Sequence, residues 1–381
     1  MTRNERIRVG DRVTIFRRGQ LGIWCADFSQ DGRHQKVSLK TTNKKVATER
    51  AVKLAGELVA GTYRQIANTA TLATALGDYL RYLETEGRAR KTIVRYRGEL
   101  MTFCEYCRSQ RVLRLAQITP TLYDRFRAER RQDHCLRTMY HEGMVAKQFL
   151  KWCVSRHLIA KNPLQDYKLQ EPPLTRKAAP TLAELQRILA ASTPRQRLML
   201  AVLAATGMRS GELQRLRRED VDLEGNWIHI VSREGAETKT RQSRQVPLHP
   251  ALKLLLRDRP AVPGPWFFAA EPSAKYPAGG HWISGKRLNE TFTATVGRVG
   301  LRAGRDGNGY TIHSLRRFFQ TFCVHAGIPQ RVIDTWLGHV SDHSMGAVYY
   351  CLSDIDSQTF MFKVPFGDGA LAADASSESK E

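Results

Sequence analysis

At 381 residues and 42% hydrophobic content, the chain is too long for one ordinary core and suggests two or three domains. Its 60 Lys and Arg against 37 Asp and Glu leave a net charge of +23, an excess that points to a polyanionic partner, nucleic acid being the simplest. Seven scattered cysteines exclude a disulfide framework, and no apolar run has the length of a membrane span or a signal core, so a cytoplasmic protein is expected.

Residues 1–64 open with alternating apolar and polar positions over Arg12–Phe16, Gly22–Phe28 and Lys36–Lys40, with a polar turn at Gln30–Arg33. Three short strands fit this spacing. A helix over Thr48–Leu58 follows, with Val52, Ala55 and Val59 on one side. Through Ala70 the segment holds 14 Lys and Arg against 6 Asp and Glu, a net of +8, and a basic sheet of this size can enter a DNA major groove.

Residues 71–170 carry helical apolar spacing throughout. Helices are predicted from Thr71 to Leu83, from Lys91 to Cys107, from Thr119-Pro120 onward, and from Thr138 to Ser155. Such a bundle can pack its basic outside on a duplex backbone, and Arg88, Arg90, Lys91, Arg95 and Arg97 form the densest basic patch. Cys104 and Cys107 have metal-like spacing but no second Cys/His pair at zinc-finger distance, so they are read as buried small side chains. Prolines and the loss of periodicity mark a linker at 171–180. Thr181 and Glu184 then form a capping box that opens a domain over 181–365.

In that domain an apolar helix over Leu198–Ala205 ends at Thr206-Gly207, and Arg209 stands at the junction with the next helix. Asn226–Val231 and Ser243–Leu248 read as a hairpin with Lys239 in its tip region. Between Gly309 and Cys351 come His313 and Arg316, three apart and so on one helix face, backed by Leu315, Phe318, Phe319 and Phe322. A short helix over Pro329–Trp336 ends at Leu337-Gly338, followed at once by His339 and ten residues later by Tyr349. A cation pair, two imidazoles and a phenol arriving together suggest phosphate chemistry with tyrosine as nucleophile.

Five segments in this order resemble the tyrosine recombinase (phage integrase) family: Thr206–Leu213 (TGMRSGEL), Thr238-Lys-Thr240 with Arg244–Leu248 (RQVPL), His313-Ser-Leu-Arg316, Leu337-Gly-His339, and Tyr349. The resemblance they carry covers roughly residues 178–365. More loosely, the N-terminal segment resembles an arm-type DNA-binding domain through Trp24 and Ser38-Leu39, and residues 71–165 resemble a core-binding helical domain. The resemblance implies a multidomain α+β protein: a three-stranded sheet plus helix, an all-α core-binding bundle, and a mainly helical mixed α/β catalytic domain with a small antiparallel sheet. It implies catalytic roles for Arg209, Lys239, His313, Arg316, His339 and Tyr349, with Lys239 as general acid, His313 as acid/base and His339 on the scissile phosphate. No metal, ATP or other cofactor is expected. Double-stranded DNA and a homotetramer on DNA are the implied partners, with an excisionase and a host bending protein as possible accessories. Tyr350 competes with Tyr349, but the spacing from His339 and the position two before Cys351, where the family often has His, both favour Tyr349. One departure is Arg317, where the family often has His. A type IB topoisomerase and a non-catalytic regulator of the same fold are the competing interpretations. The segment after Tyr349 is apolar enough to pack in cis or on a neighbouring subunit, and 366–381 is expected to be a disordered tail.

Overall fold

In a computed structural model the described residues are 5–19, 21–30, 33–61, 63, 70–175, 177–238, 241–258, 264–274, 276–304, 308–339, 352–367 and 371. They divide into two compact units, Met1–Leu174 and Thr175–Glu381.

The first unit begins with an antiparallel meander of four strands, β1 (Arg6–Val9), β2 (Val13–Arg18), β3 (Ile23–Gln30) and β4 (Arg33–Ser38). The sequence leads one to expect three. The extra strand is short, with only Ile7 and Val9 as apolar residues, too few to stand out as a pattern; it is fixed by pairing, Ile7 opposite Ile15 and Val9 opposite Val13. The helix α1 (Lys44–Val59) starts where the Asn43 side chain accepts from the backbone N–H of Lys45 and Val46. Its buried stripe is Ala47, Ala51, Leu54 and Leu58, whereas Val52 and Val59 point outward. Of Val52, Ala55 and Val59, only Ala55 packs against the sheet cluster, and Ala47 and Ala51 let the helix lie close on Ile15, Trp24 and Ala26.

The rest of the unit is four helices, α2 (Leu72–Thr85), α3 (Arg90–Ser109), α4 (Pro120–Asp133) and α5 (Leu136–Ser155). Thr71 and Thr119 cap two of them, and Pro120 occupies the first turn of α4, where its missing N–H costs nothing. Tyr79, Phe103, Tyr123, Phe126 and Phe149 form an aromatic core. Cys107 lies in that core and Cys104 is half-buried beside it; burial pushes the Cys107 thiol up to about 12, which keeps it unreactive.

The second unit is mainly helical. It comprises α6 (Leu182–Ala190), α7 (Pro194–Thr206), α8 (Ser210–Gln214), β5 (Val221–Asp222), β6 (Trp227–Ile230), β7 (Arg244–Pro247), α9 (Pro250–Arg257), α10 (Gly285–Arg298), α11 (His313–His325), α12 (Gln330–Leu337) and α13 (Asp354–Phe362). The three strands form one antiparallel sheet in sequence order, with Ile230 opposite Arg244. The capping box is present: Thr181 N–H donates to Glu184 and Glu184 N–H to the Thr181 hydroxyl. From Met199 to Thr206 every side chain of α7 is buried, so this helix runs through the core, with α11 and α9 against it. The C-terminal helix packs in cis. Ser357 accepts from the Trp336 indole at 2.9 Å, and Gln245 donates to Asp354 at 2.7 Å. Packing also extends past the expected start of the tail: Phe366 lies 5.0 Å from the Phe322 ring and Leu371 is buried, apolar positions that the polar average of the segment conceals.

Candidate active site

α7 ends on Gly207, whose φ of +63° is the left-handed cap that a glycine adopts without strain. Met208 is buried directly after it, and Arg209 caps the short α8. The Arg209 backbone N–H donates to Glu212 Oε2 at 2.7 Å, and its guanidinium Nη1 donates to Oε1 at 2.9 Å. Arg209 is thus aimed by a carboxylate one helical turn away.

Arg316 sits on α11 and is 4% exposed, an unusual depth for a guanidinium. Among the described residues no carboxylate touches it. Instead Nη1 donates to the Gly207 carbonyl at 2.8 Å and Nη2 to the Leu337 carbonyl at 2.7 Å. These are carbonyls at the C-terminal ends of α7 and α12, where unpaired backbone oxygens and the helix dipole favour a cation. Burial lowers the Arg316 guanidinium to about 10, and the neighbouring positive charge of Arg209 adds to the effect. It remains charged at neutral pH.

Gly338 ends α12 in the left-handed region, at φ +66°, and its neighbour His339 turns toward Arg316. His339 Nε2 lies 2.9 Å from Arg316 Nη2 and Nδ1 lies 3.4 Å from Asp334 Oδ1. A guanidinium only donates, so Nε2 is the accepting nitrogen and Nδ1 carries the proton toward Asp334. Burial, then the charge of Arg316, lowers the imidazole below the usual histidine value despite the raising effect of Asp334.

The structure therefore brings Arg316 and His339 into contact and sets Arg209 close enough for its charge to act on both. His313, the first residue of α11, is exposed one turn before Arg316. Lys239, Tyr349 and the competing Tyr350 lie outside the described residues; Thr238, next to Lys239, is buried and donates to the Gln242 carbonyl at 2.9 Å. Arg317 donates to the Ser314 hydroxyl at 2.8 Å, and its Nε is buried with no hydrogen-bond partner among the described residues. The patch residues Arg88, Arg90, Lys91, Arg95 and Arg97 are all exposed on the first unit, with Arg95 3.6 Å from Glu99 and Arg97 3.9 Å from Glu84.

Two residues that sequence reasoning left without a role belong to this site. Glu212 and Arg244 are 8% and 7% exposed and form a two-pronged pair, Arg244 Nη1 to Glu212 Oε1 at 3.1 Å and Nη2 to Oε2 at 2.6 Å. Burial alone would raise the Glu212 carboxyl; Arg244 and then Arg209 reverse this and hold it below the ordinary range. Arg209 and Arg244 share the one carboxylate of Glu212, and Arg316 has none in contact, so among the described residues the site is short of negative charge. Such a site suits an oxyanion.

A phage integrase family model matches residues 181–354, and a phage integrase N-terminal SAM-like domain model matches 76–157. The chain is 27% identical over 277 residues to the tyrosine recombinase XerA of Pyrococcus furiosus, covering 70% of this chain and 85% of that protein. It is 25% identical over 279 residues to the tyrosine recombinase XerC of Roseiflexus castenholzii, covering 69% and 84%. Among solved structures, a lambda integrase tetramer bound to a Holliday junction superposes with a TM-score of 0.59 at 18% identity, covering 87% of this chain and 96% of that one. The Tn1549 transposon integrase in complex with a circular intermediate DNA gives 0.57 at 16% identity, covering 76% and 98%. These superpositions show the fold. The chain belongs to the phage integrase family and is a tyrosine recombinase.

Proposed function

We propose that the protein is a site-specific DNA integrase that cuts and rejoins strands through a 3′-phosphotyrosyl intermediate on Tyr349, inserting or excising a mobile element. The observation that carries this is the junction of a buried Arg316 held by main-chain carbonyls, the His339 imidazole against it, and Arg209 close by and aimed by Glu212. A phosphodiester resists attack because charge builds on its non-bridging oxygens, and catalysis consists mostly of positioning and stabilising that charge. Arg209 and Arg316 bind the two non-bridging oxygens in forked fashion. His339 completes the grip, and the phosphate charge offsets the cations that keep its imidazole neutral.

The Tyr349 phenol oxygen attacks phosphorus while the bond to the 5′ oxygen breaks. His313 takes the phenol proton, a needed step because a phenol has a pKa near 10, and Lys239 supplies a proton to the leaving 5′ oxygen, which departs as a hydroxyl. The phosphotyrosyl bond keeps the energy of the broken linkage, so attack by a 5′ hydroxyl on it reseals DNA without ATP or a metal.

On this reading 1–64 is an arm-type and 71–170 a core-binding DNA domain, 171–180 links them to the catalytic domain at 181–365, and four copies assemble on two duplexes in the cytoplasm. Direction of recombination is set with an excisionase and a host bending protein. The matches to recombinases do not favour a topoisomerase. A nicked suicide duplex carrying the element's own attachment site tests the proposal. Wild type traps a covalent adduct, Tyr349→Phe traps none, and recombinant product from two sites excludes simple nicking and resealing. An adduct that persists in Tyr349→Phe and is lost in Tyr350→Phe would move the nucleophile by one residue; no adduct with wild type overturns the reading.

A further inference from the structure

Arg244 lies at the start of β7, the edge strand that faces α12 and α13. Its guanidinium is buried, and each of its three nitrogens donates to a protein acceptor. Two nitrogens hold Glu212, and the third, Nε, donates to the Trp336 carbonyl at 2.8 Å. At least three of its five N–H donors are committed to Glu212 and the Trp336 carbonyl, so what Arg244 does first is hold those two groups together.

What it joins is informative. Through Glu212 it is tied to α8, whose first turn carries Arg209 and is held to the same carboxylate. Through the Trp336 carbonyl it is tied to the last turn of α12, one residue before the Leu337 carbonyl that receives Arg316 and three before His339. The two final carbonyls of α12 thus each take one guanidinium. Gly338 lies directly over the stem of Arg244: a Cβ there would stand 2.9 Å from Arg244 Cδ, so the cap and the arginine fit against each other.

We propose that Arg244 is a positioning residue that fixes the span between Arg209 on one side and the Arg316–His339 pair on the other. The inference rests on the recombinase reading and deepens it. Without the fork, Glu212 follows Arg209 alone and the end of α12 loses its tie to α8. The two phosphate-binding arginines then no longer meet the same pair of oxygens, and misplacement by about 1 Å in such a site costs on the order of 100-fold in rate.

The experiment is a double-mutant cycle on full-length protein, reading the single-turnover rate of adduct formation on a saturating nicked duplex. Arg244→Gln and Arg209→Lys are made singly and together. If Arg244 acts through Arg209, Arg244→Gln slows cleavage by about 100-fold in the wild-type background and by about tenfold or less in Arg209→Lys, because the geometry it protects is already lost. A merely structural contribution multiplies the two losses instead, and that result overturns the proposal, as does a wild-type rate in Arg244→Gln. Should Arg244→Gln fail to fold, Arg244→Lys, which keeps the charge and loses the fork, is put through the same cycle and read by the same criterion. Absence of adduct with the wild type is a different failure and counts against the recombinase reading itself.

Discussion

Glu212 is the smallest part of the site with the largest number of obligations. One carboxylate accepts from the backbone and side chain of Arg209 and from both prongs of Arg244, and it is nearly closed to solvent. Glu212→Gln leaves buried arginines without their counter-charge and is expected to destabilise the domain by about 3–5 kcal/mol, measured by equilibrium urea unfolding. The pH dependence has a definite sign. The carboxyl is held below its usual value of 4.5, so its stabilisation is fully present above that pH and is lost as pH falls through the lower folded-state value. The acid limb of the stability profile is therefore shallower in Glu212→Gln than in the wild type. Arg209, Arg316 and His339 were legible in the sequence because each stands in a short motif of fixed order. The partnership of Glu212 with Arg244 was not, since the residues lie 32 apart, and the Trp336 carbonyl that completes it lies 92 from Arg244.

At the scale of elements, the site is made by two helix ends. α7 and α12 both stop on a left-handed glycine, and the carbonyls freed there receive the buried arginines. Gly207 has no room for a side chain: a Cβ would stand 2.5 Å from Phe319 Cδ1 and 2.6 Å from Leu337 Cδ2. Gly207→Ala is expected to cost at least about 2 kcal/mol in urea unfolding, from the strained φ and the overpacked contact together. Both stops could be anticipated, because glycine at the end of an apolar helical run is a strong signal. The face of α1 could not. Valines outweigh alanines in any hydrophobicity average, yet Ala47 and Ala51 are the residues that allow close approach to the sheet. The first strand escaped notice for a similar reason, since its place depends on a partner strand rather than on its own four residues.

Across the whole molecule, positive charge is the leading feature, and it is spread over both units rather than confined to the arginine site. Binding to duplex DNA should then weaken steeply with salt as counterions are released. Lys91, exposed at the start of α3, is expected to contribute as a phosphate contact, so Lys91→Ala should reduce the slope of log affinity against log salt by roughly one. Arg97→Ala should reduce it less, because Glu84 already answers part of that charge at 3.9 Å. Fluorescence anisotropy over a salt series measures both; equal changes would remove the basis for ranking the patch by its local partners.

Among the described residues, two of the three groups holding Arg316 belong to the main chain. Exchanging side chains cannot delete a peptide oxygen; only a shift of the helices themselves can withdraw it. A lineage carrying this arrangement can rewrite most of its surface and much of its interior while the reactive arginine keeps its seat. That tolerance accords with a chain that differs at about three positions in four from the aligned XerA and still carries the family's order of motifs.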